Sequence, residues 1–131
     1  MSILLKSAYM DNKIKSFTDL ISWRIARDLV LKIYKITKEF PPAEIFGLSS
    51  QMRRASISIS SNIAEGFGRR SKKEKIQFYS IAKGSLIELQ NQLVLSLDIG
   101  YINKDEFKQL AELMIRCSKL ITGLIHKTPQ K

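Results

Sequence analysis

Apolar residues recur at three- and four-residue steps along four stretches of this chain, and each stretch reads as one face of an α-helix. Between about Thr18 and Phe40 the repeat is Leu20, Trp23, Ala26, Val30, Ile33 and Thr37, with Arg24, Arg27, Asp28, Lys32, Lys35 and Lys38 mostly off that face. Pro41 stops it, because proline lacks the amide donor and disfavours helical backbone at Phe40 before it. The second stretch, about Leu48 to Glu65, carries two periods. The run SISIS from Ser56 to Ser60 alternates as a strand would, whereas Leu48, Met52, Ala55, Ile59 and Ile63 step as a helix. The longer repeat outweighs the shorter and predicts a helix, although serine is a mediocre helix former. Small side chains there let a neighbouring helix come close, and Gly66 with Gly68 is read as the C-terminal stop.

The third stretch opens with SKKE, in which Ser71 and Glu74 have capping-box spacing. Ile76, Tyr79, Ala82, Leu86, Leu89, Leu93 and Leu97 follow as one stripe. Ile81, Ile87, Val94 and Leu95 widen the apolar surface, so this helix is central or faces a second partner. Gly84 and Ser85, two small residues in its middle, predict a close approach by another helix. Gly100 ends it. Asn103 and Glu106 resemble another cap, and Phe107, Leu110, Leu113, Met114, Cys117, Leu120, Ile121 and Leu124 mark a fourth helix that ends before Pro129. Connections of about three to eight residues force consecutive helices to run antiparallel. The pattern predicts an all-α, up-down-up-down four-helix bundle over residues 17–127. Residues 1–16 read as a flexible N-terminal extension, with Met1 and Met10 both possible starts, and 128–131 as a C-terminal tail.

A chain of 131 residues is long enough for one domain with a proper core. Its composition is ordinary for a globular protein, but its formal charge of +10 is not. That excess implies an anionic partner: nucleic acid, an acidic protein or a membrane surface. One cysteine excludes an intramolecular disulfide and fits a reducing compartment, so a cytoplasmic location is expected. No apolar run is long enough to span a membrane.

Little in the sequence points to catalysis. His126 is the single histidine and lies near the end of the chain. Cys117 falls on the apolar stripe of the fourth helix and reads as a small buried hydrophobe. One His and one Cys make no zinc site of the usual kind, and GFGRRS lacks the P-loop frame. The serines of SISISSN have no general base near them and read as packing or capping residues. No enzyme, cofactor or metal is expected.

The basic residues carry more information. Between Arg53 and Lys83 lie Arg53, Arg54, Arg69, Arg70, Lys72, Lys73, Lys75 and Lys83, against only Glu65 and Glu74. Eight cations against two acids leave +6 of the chain's +10. With Ser71 as N-cap, Lys72, Lys73 and Lys75 occupy the positive end of a helix dipole, where each costs roughly 0.3–1 kcal/mol relative to an acid. A local rule broken without visible compensation suggests function, and a helix N-terminus ringed by cations suits phosphate. Arg53, Arg54, Arg69, Arg70, Lys72, Lys73 and Lys75 are therefore the candidate nucleic-acid-binding residues. Arg54, Ser58, Ser61 and Glu65 share a face, so Arg54 fits an ion pair between helices or subunits equally well. Trp23 reads as a core or interface residue, and contacts should be mainly to the phosphate backbone, since aromatic and basic residues do not interleave.

The segments DLISWRIARDLV, GLSSQMRRASISISSNIAEGFGRRSKKEKIQFYSIAKGSLIELQNQL and LDIGYI resemble the four-helix-bundle proteins known as 23S rRNA intervening-sequence proteins, over about Phe17 to Ile125. The combination of SNIAEG, GRRSKKE and AKGSLIELQ carries the likeness. The resemblance implies an antiparallel bundle assembling as a homopentamer, with no enzymatic activity, and with relatives that serve as accessory proteins to reverse transcriptases. The leading expectation is a homo-oligomer that binds RNA or another structured nucleic acid, RNA or DNA, through a basic surface. The alternative is a protein-binding scaffold whose positive face recognises an acidic partner.

Overall fold

The computed structural model describes residues 14–128; the two possible start sites and the last residues of the tail lie outside these. Among the described residues there are four α-helices and no strand. They are α1 (Ile21–Thr37), α2 (Leu48–Gly68), α3 (Lys72–Ile99) and α4 (Lys104–Lys127). Each packs against its neighbours in chain order, and α1 also packs against α4, which closes the ring of four around one core.

Cross-helix pairs fix the directions. Gly66 of α2 faces Tyr79, Ser58 shares a hydrogen bond of 2.8 Å with Ser85, and Ser96 Oγ donates to Met52 Sδ at 3.4 Å. Partners advance along α3 as they recede along α2, so the two helices are antiparallel. Five of the seven expected α3 stripe positions, Tyr79, Ala82, Leu86, Leu89 and Leu93, are buried, and the end positions Ile76 and Leu97 are half-buried. In α4, Leu110, Met114, Cys117 and Ile121 are buried.

Three local expectations need correction. The first helix does not run unbroken from Thr18. Phe17–Asp19 form a single 3-10 turn with a Ser16–Asp19 capping box, Leu20 is extended, and α1 begins at Ile21. Its buried face is rotated from the expected one: Ile25 and Leu29 are in the core, while Trp23 is half-buried against Phe17, ring centroids 5.2 Å apart. Gly66 and Gly68 do not stop α2 by a left-handed turn. Both are helical, and the chain leaves the helix through extended backbone at Arg69. Gly66 serves packing instead, since a Cβ there would come within 2.6 Å of Tyr79 Cε1.

Third, Gly84 is not in a close helix contact among the described residues. It is exposed, and a Cβ there would meet nothing within 4 Å. Only Ser85 of that pair is engaged, through Ser58. By contrast, Gly100 has φ +96, a left-handed C-terminal cap in which its amide and that of Tyr101 bond back to the Ser96 carbonyl at 3.2 and 2.9 Å.

Candidate nucleic-acid interface

The charged turn between α2 and α3 is built by two helix ends meeting. α2 finishes with carbonyls that lack partners, and α3 opens with amides that lack them. Ser71 caps α3, its Oγ accepting from the Glu74 amide at 3.0 Å. The reciprocal bond from the Ser71 amide to the Glu74 carboxylate is not formed, so only half of the expected box is present, whereas Asn103 and Glu106 form a complete one.

Lys75 reaches back across the turn. Its Nζ donates to the Phe67 carbonyl at 2.7 Å and to that of Gly66 at 3.3 Å, and lies 5.5 Å from the Phe67 ring. A cation at a helix C-terminus satisfies orphan carbonyls and meets the negative end of the dipole. Lys75 is unfavourable for the helix that carries it and favourable for the helix before it. Arg69 is also engaged: it pairs with Glu65 at 3.0 Å and lies over Phe78 at 4.7 Å.

Arg53 is a packing residue. It is half-buried, donates from Nε to Thr37 Oγ1 at 2.9 Å and stacks on Tyr34 at 4.8 Å, tying α2 to the end of α1. Thr37 in turn donates to the Ile33 carbonyl at 2.6 Å.

Four of the seven candidates are left with no partner among the described residues: Arg54, Arg70, Lys72 and Lys73. Arg70, Lys72 and Lys73 belong to the turn. Arg54 is elsewhere, on the rim of a cavity of about 390 Å³ between α2 and α3 with Gln51, Ser58, Ser85 and Glu88. The seven residues thus divide into a free basic cluster, three structural cations and one rim residue. A second cavity of about 600 Å³, lined by Phe17, Ser61, Ala64, Gly68 and Arg69, opens beside the turn.

Sequence reasoning missed the bond between Tyr101 and Glu44. Tyr101 Oη donates to Glu44 Oε2 at 2.6 Å, and Glu44 Oε1 accepts from the Leu48 amide at 3.1 Å, capping α2. The tyrosine bond first, then the amide, lowers the Glu44 pKa from its ordinary value, and the same bond raises that of Tyr101. The two residues are far apart in sequence and follow no periodic signal.

Other chemistry is sparse. Cys117 is fully buried, and burial pushes its thiol up to about 12. His126 is exposed on the last turn of α4. Among the described residues no cluster of His, Cys, Asp or Glu is arranged to hold a metal, and no helix is long and apolar enough to cross a membrane.

Four packed helices with a cationic turn at one end define a helical-bundle protein. Residues 18–123 match the family model of the 23S rRNA-intervening sequence proteins, and the chain belongs to that family. No curated protein matches it. Among solved structures it is similar to a protein of unknown function from the S23 ribosomal protein family of Bacteroides thetaiotaomicron. That likeness has a TM-score of 0.75 at 20% identity and covers 82% of this chain and 96% of the other, which places the fold.

Proposed function

We propose that this chain is a non-enzymatic, homo-oligomeric bundle that binds RNA or another structured nucleic acid through the α2–α3 turn. The observation that carries the reading is the trio Arg70, Lys72 and Lys73. Among the described residues they have no acid, carbonyl or ring to satisfy them, and they crowd the N-terminus of a 28-residue helix. Cations without a folding role at the positive end of a dipole are best explained by an anion that both attract. Binding of this kind reads the phosphate backbone and is weakly selective for sequence.

Self-association is supported by the outer face of α3. Ile87, Val94 and Leu95 are 59%, 45% and 43% exposed, more apolar surface than a monomer leaves open by default. The resemblance sets five subunits as the expected number, and light scattering should return five times the 15.0 kDa of one chain. A ring would present several copies of the turn to one RNA and gain affinity by avidity.

The test is replacement of Arg70, Lys72 and Lys73 by Gln. Affinity for RNA should fall, and the slope of log K against log salt should flatten by about 0.7–0.9 for each phosphate that the variant no longer neutralises. Stability should hold or rise, because repulsion at the positive helix end is relieved. Unchanged affinity and slope would sink the proposal.

The scaffold reading has one observation of its own. Phe46 is 94% exposed beside exposed Ile45, on the connection before α2. It lies at the other end of that helix from the basic turn, about 30 Å away at 1.5 Å per residue. An aromatic held in the open is a usual anchor for a protein partner, and loss of partner capture in Phe46→Ala with RNA binding intact would favour this reading.

A further inference from the structure

The cavity between α2 and α3 contains two opposite charges that do not meet. Arg54 and Glu88 both line it, both are exposed, and they form no ion pair. Arg54 has no partner among the described residues, and Glu88 has only the Gln92 amide, Nε2 to Oε1 at 3.3 Å. The cavity floor is already satisfied: Ser58 and Ser85 bond each other, and Asn62 Nδ2 donates to Ser58 Oγ at 3.1 Å. The open valences are therefore on the rim and face outward, one cation and one anion.

A cation and an anion on one exposed rim, neither in an ion pair, can each pair with the opposite charge of another copy. The neighbouring residues agree. Gly84 precedes the cavity on the outer face of α3, and its backbone is bare, with space where a Cβ would stand. A mid-helix glycine costs about 1 kcal/mol against alanine, and nothing among the described residues accounts for it. A helix from outside can approach closely there. Exposed Ile81 lies one turn before Gly84 and exposed Leu95 two turns beyond Glu88, at 46% and 43%, so the charged rim is framed by apolar contacts.

We infer that this rim is an interface between copies of the chain, in which Arg54 of one copy pairs with Glu88 of the next while Gly84 admits the approaching helix. The inference rests on the reading that the chain self-associates, and it names the contact. It also removes Arg54 from the nucleic-acid surface.

The test uses single and double charge reversal. The Arg54→Glu variant carries carboxylates at both positions, and the Glu88→Arg variant carries guanidinium groups at both. Each alone should run at the mass of one chain under conditions where the parent is assembled, with unchanged helical circular dichroism. The double reversal, Arg54→Glu with Glu88→Arg in one chain, restores an opposite pair at every contact of a ring of any number and should recover the assembled mass. Parent protein at the mass of one chain overturns both the inference and the self-association it rests on. Single variants that keep the parent's mass overturn the Arg54–Glu88 contact and leave self-association standing, as does a double reversal that stays dissociated. Should a reversal cost the fold, Arg54→Gln and Glu88→Gln read the same contact. Parent dissociation should steepen with salt, and either neutral variant should lose that dependence; dependence retained in both overturns the contact.

Discussion

Gly66→Ala tests the α2–α3 packing with a single methyl group. Two effects oppose. Alanine favours a helix over glycine by about 0.8–1.0 kcal/mol. Against this, the added Cβ would stand 2.6 and 2.8 Å from Tyr79 Cε1 and Cδ1, and 3.2 Å from the Lys75 carbonyl oxygen. Tyr79 is 2% exposed, so its ring has no solvent to swing into, and the Lys75 carbonyl is part of α3's own ladder. Overpacking of this kind costs about 1–3 kcal/mol. The clash should win, with a net loss of up to about 2 kcal/mol and a lower urea midpoint at equal protein concentration, since concentration shifts the stability of any oligomer. Gly84→Ala is the control: with open space around it, the helix-propensity term stands alone, and the isolated protomer should gain stability. Gly66→Ala melting at or above the parent would refute the reasoning, because the turn would then have slack that the packing does not show.

Several other substitutions separate the roles assigned above. Lys75→Met should lower stability by about 1 kcal/mol, since it leaves the last α2 carbonyls without a charged donor; a urea midpoint equal to the parent's counts against the cap. Gly84→Leu should leave the protomer folded by circular dichroism while reducing the mass measured by light scattering. Tyr101→Phe should alter the pH dependence of stability. Because Glu44 has a lowered pKa in the fold, its contribution is present above the ordinary carboxylate pKa and is lost as pH falls through the folded value. The variant should therefore lose less stability than the parent between neutral and acid pH, as read from urea midpoints. Cys117, buried with its pKa near 12, should resist a thiol reagent at pH 8 until urea opens the fold.

How far the fold is legible in the sequence depends on whether its signal is periodic. α3 declares itself because seven positions repeat at helical spacing over 28 residues, and neighbouring positions supply no rival stripe of equal length. α1 is harder to read. Its polar face is interrupted by apolar Ile21, Leu31 and Tyr34, so several stripes fit about equally well. Trp23 pulls the expected stripe toward itself, though its bulk places it at the edge against Phe17 and under Arg27. The glycines mislead for a different reason. Periodicity says which side of a helix is apolar, but not which turn of the next helix comes nearest. Only the register of α2 against α3 puts Tyr79 over Gly66 and nothing over Gly84. Glu44 with Tyr101 is invisible in the sequence for the same reason.

The cationic turn shows what that difference does to a functional argument. In sequence, lysines at the start of α3 break the dipole rule with nothing to offset them. In space, the end of α2 lies alongside, and its negative pole accepts Lys75 while Glu65 and Phe78 hold Arg69. Two of the five cations in the turn are thereby explained by folding alone, and they should not be counted toward an anion. The remaining three are harder to dismiss, because α2's carbonyls at Gly66 and Phe67 are already taken by Lys75. Arg70, Lys72 and Lys73 have been left the positive pole of α3 and one another's repulsion, each costing some tenths of a kcal/mol. A phosphate chain entering the turn would meet cations that need not first break a bond within the protein, whereas recruiting Lys75 would uncap α2. Binding should accordingly saturate the free trio and leave Lys75 in place, so Lys75→Met should weaken the fold with little change in the salt slope of RNA binding, the reverse of what removing the trio does.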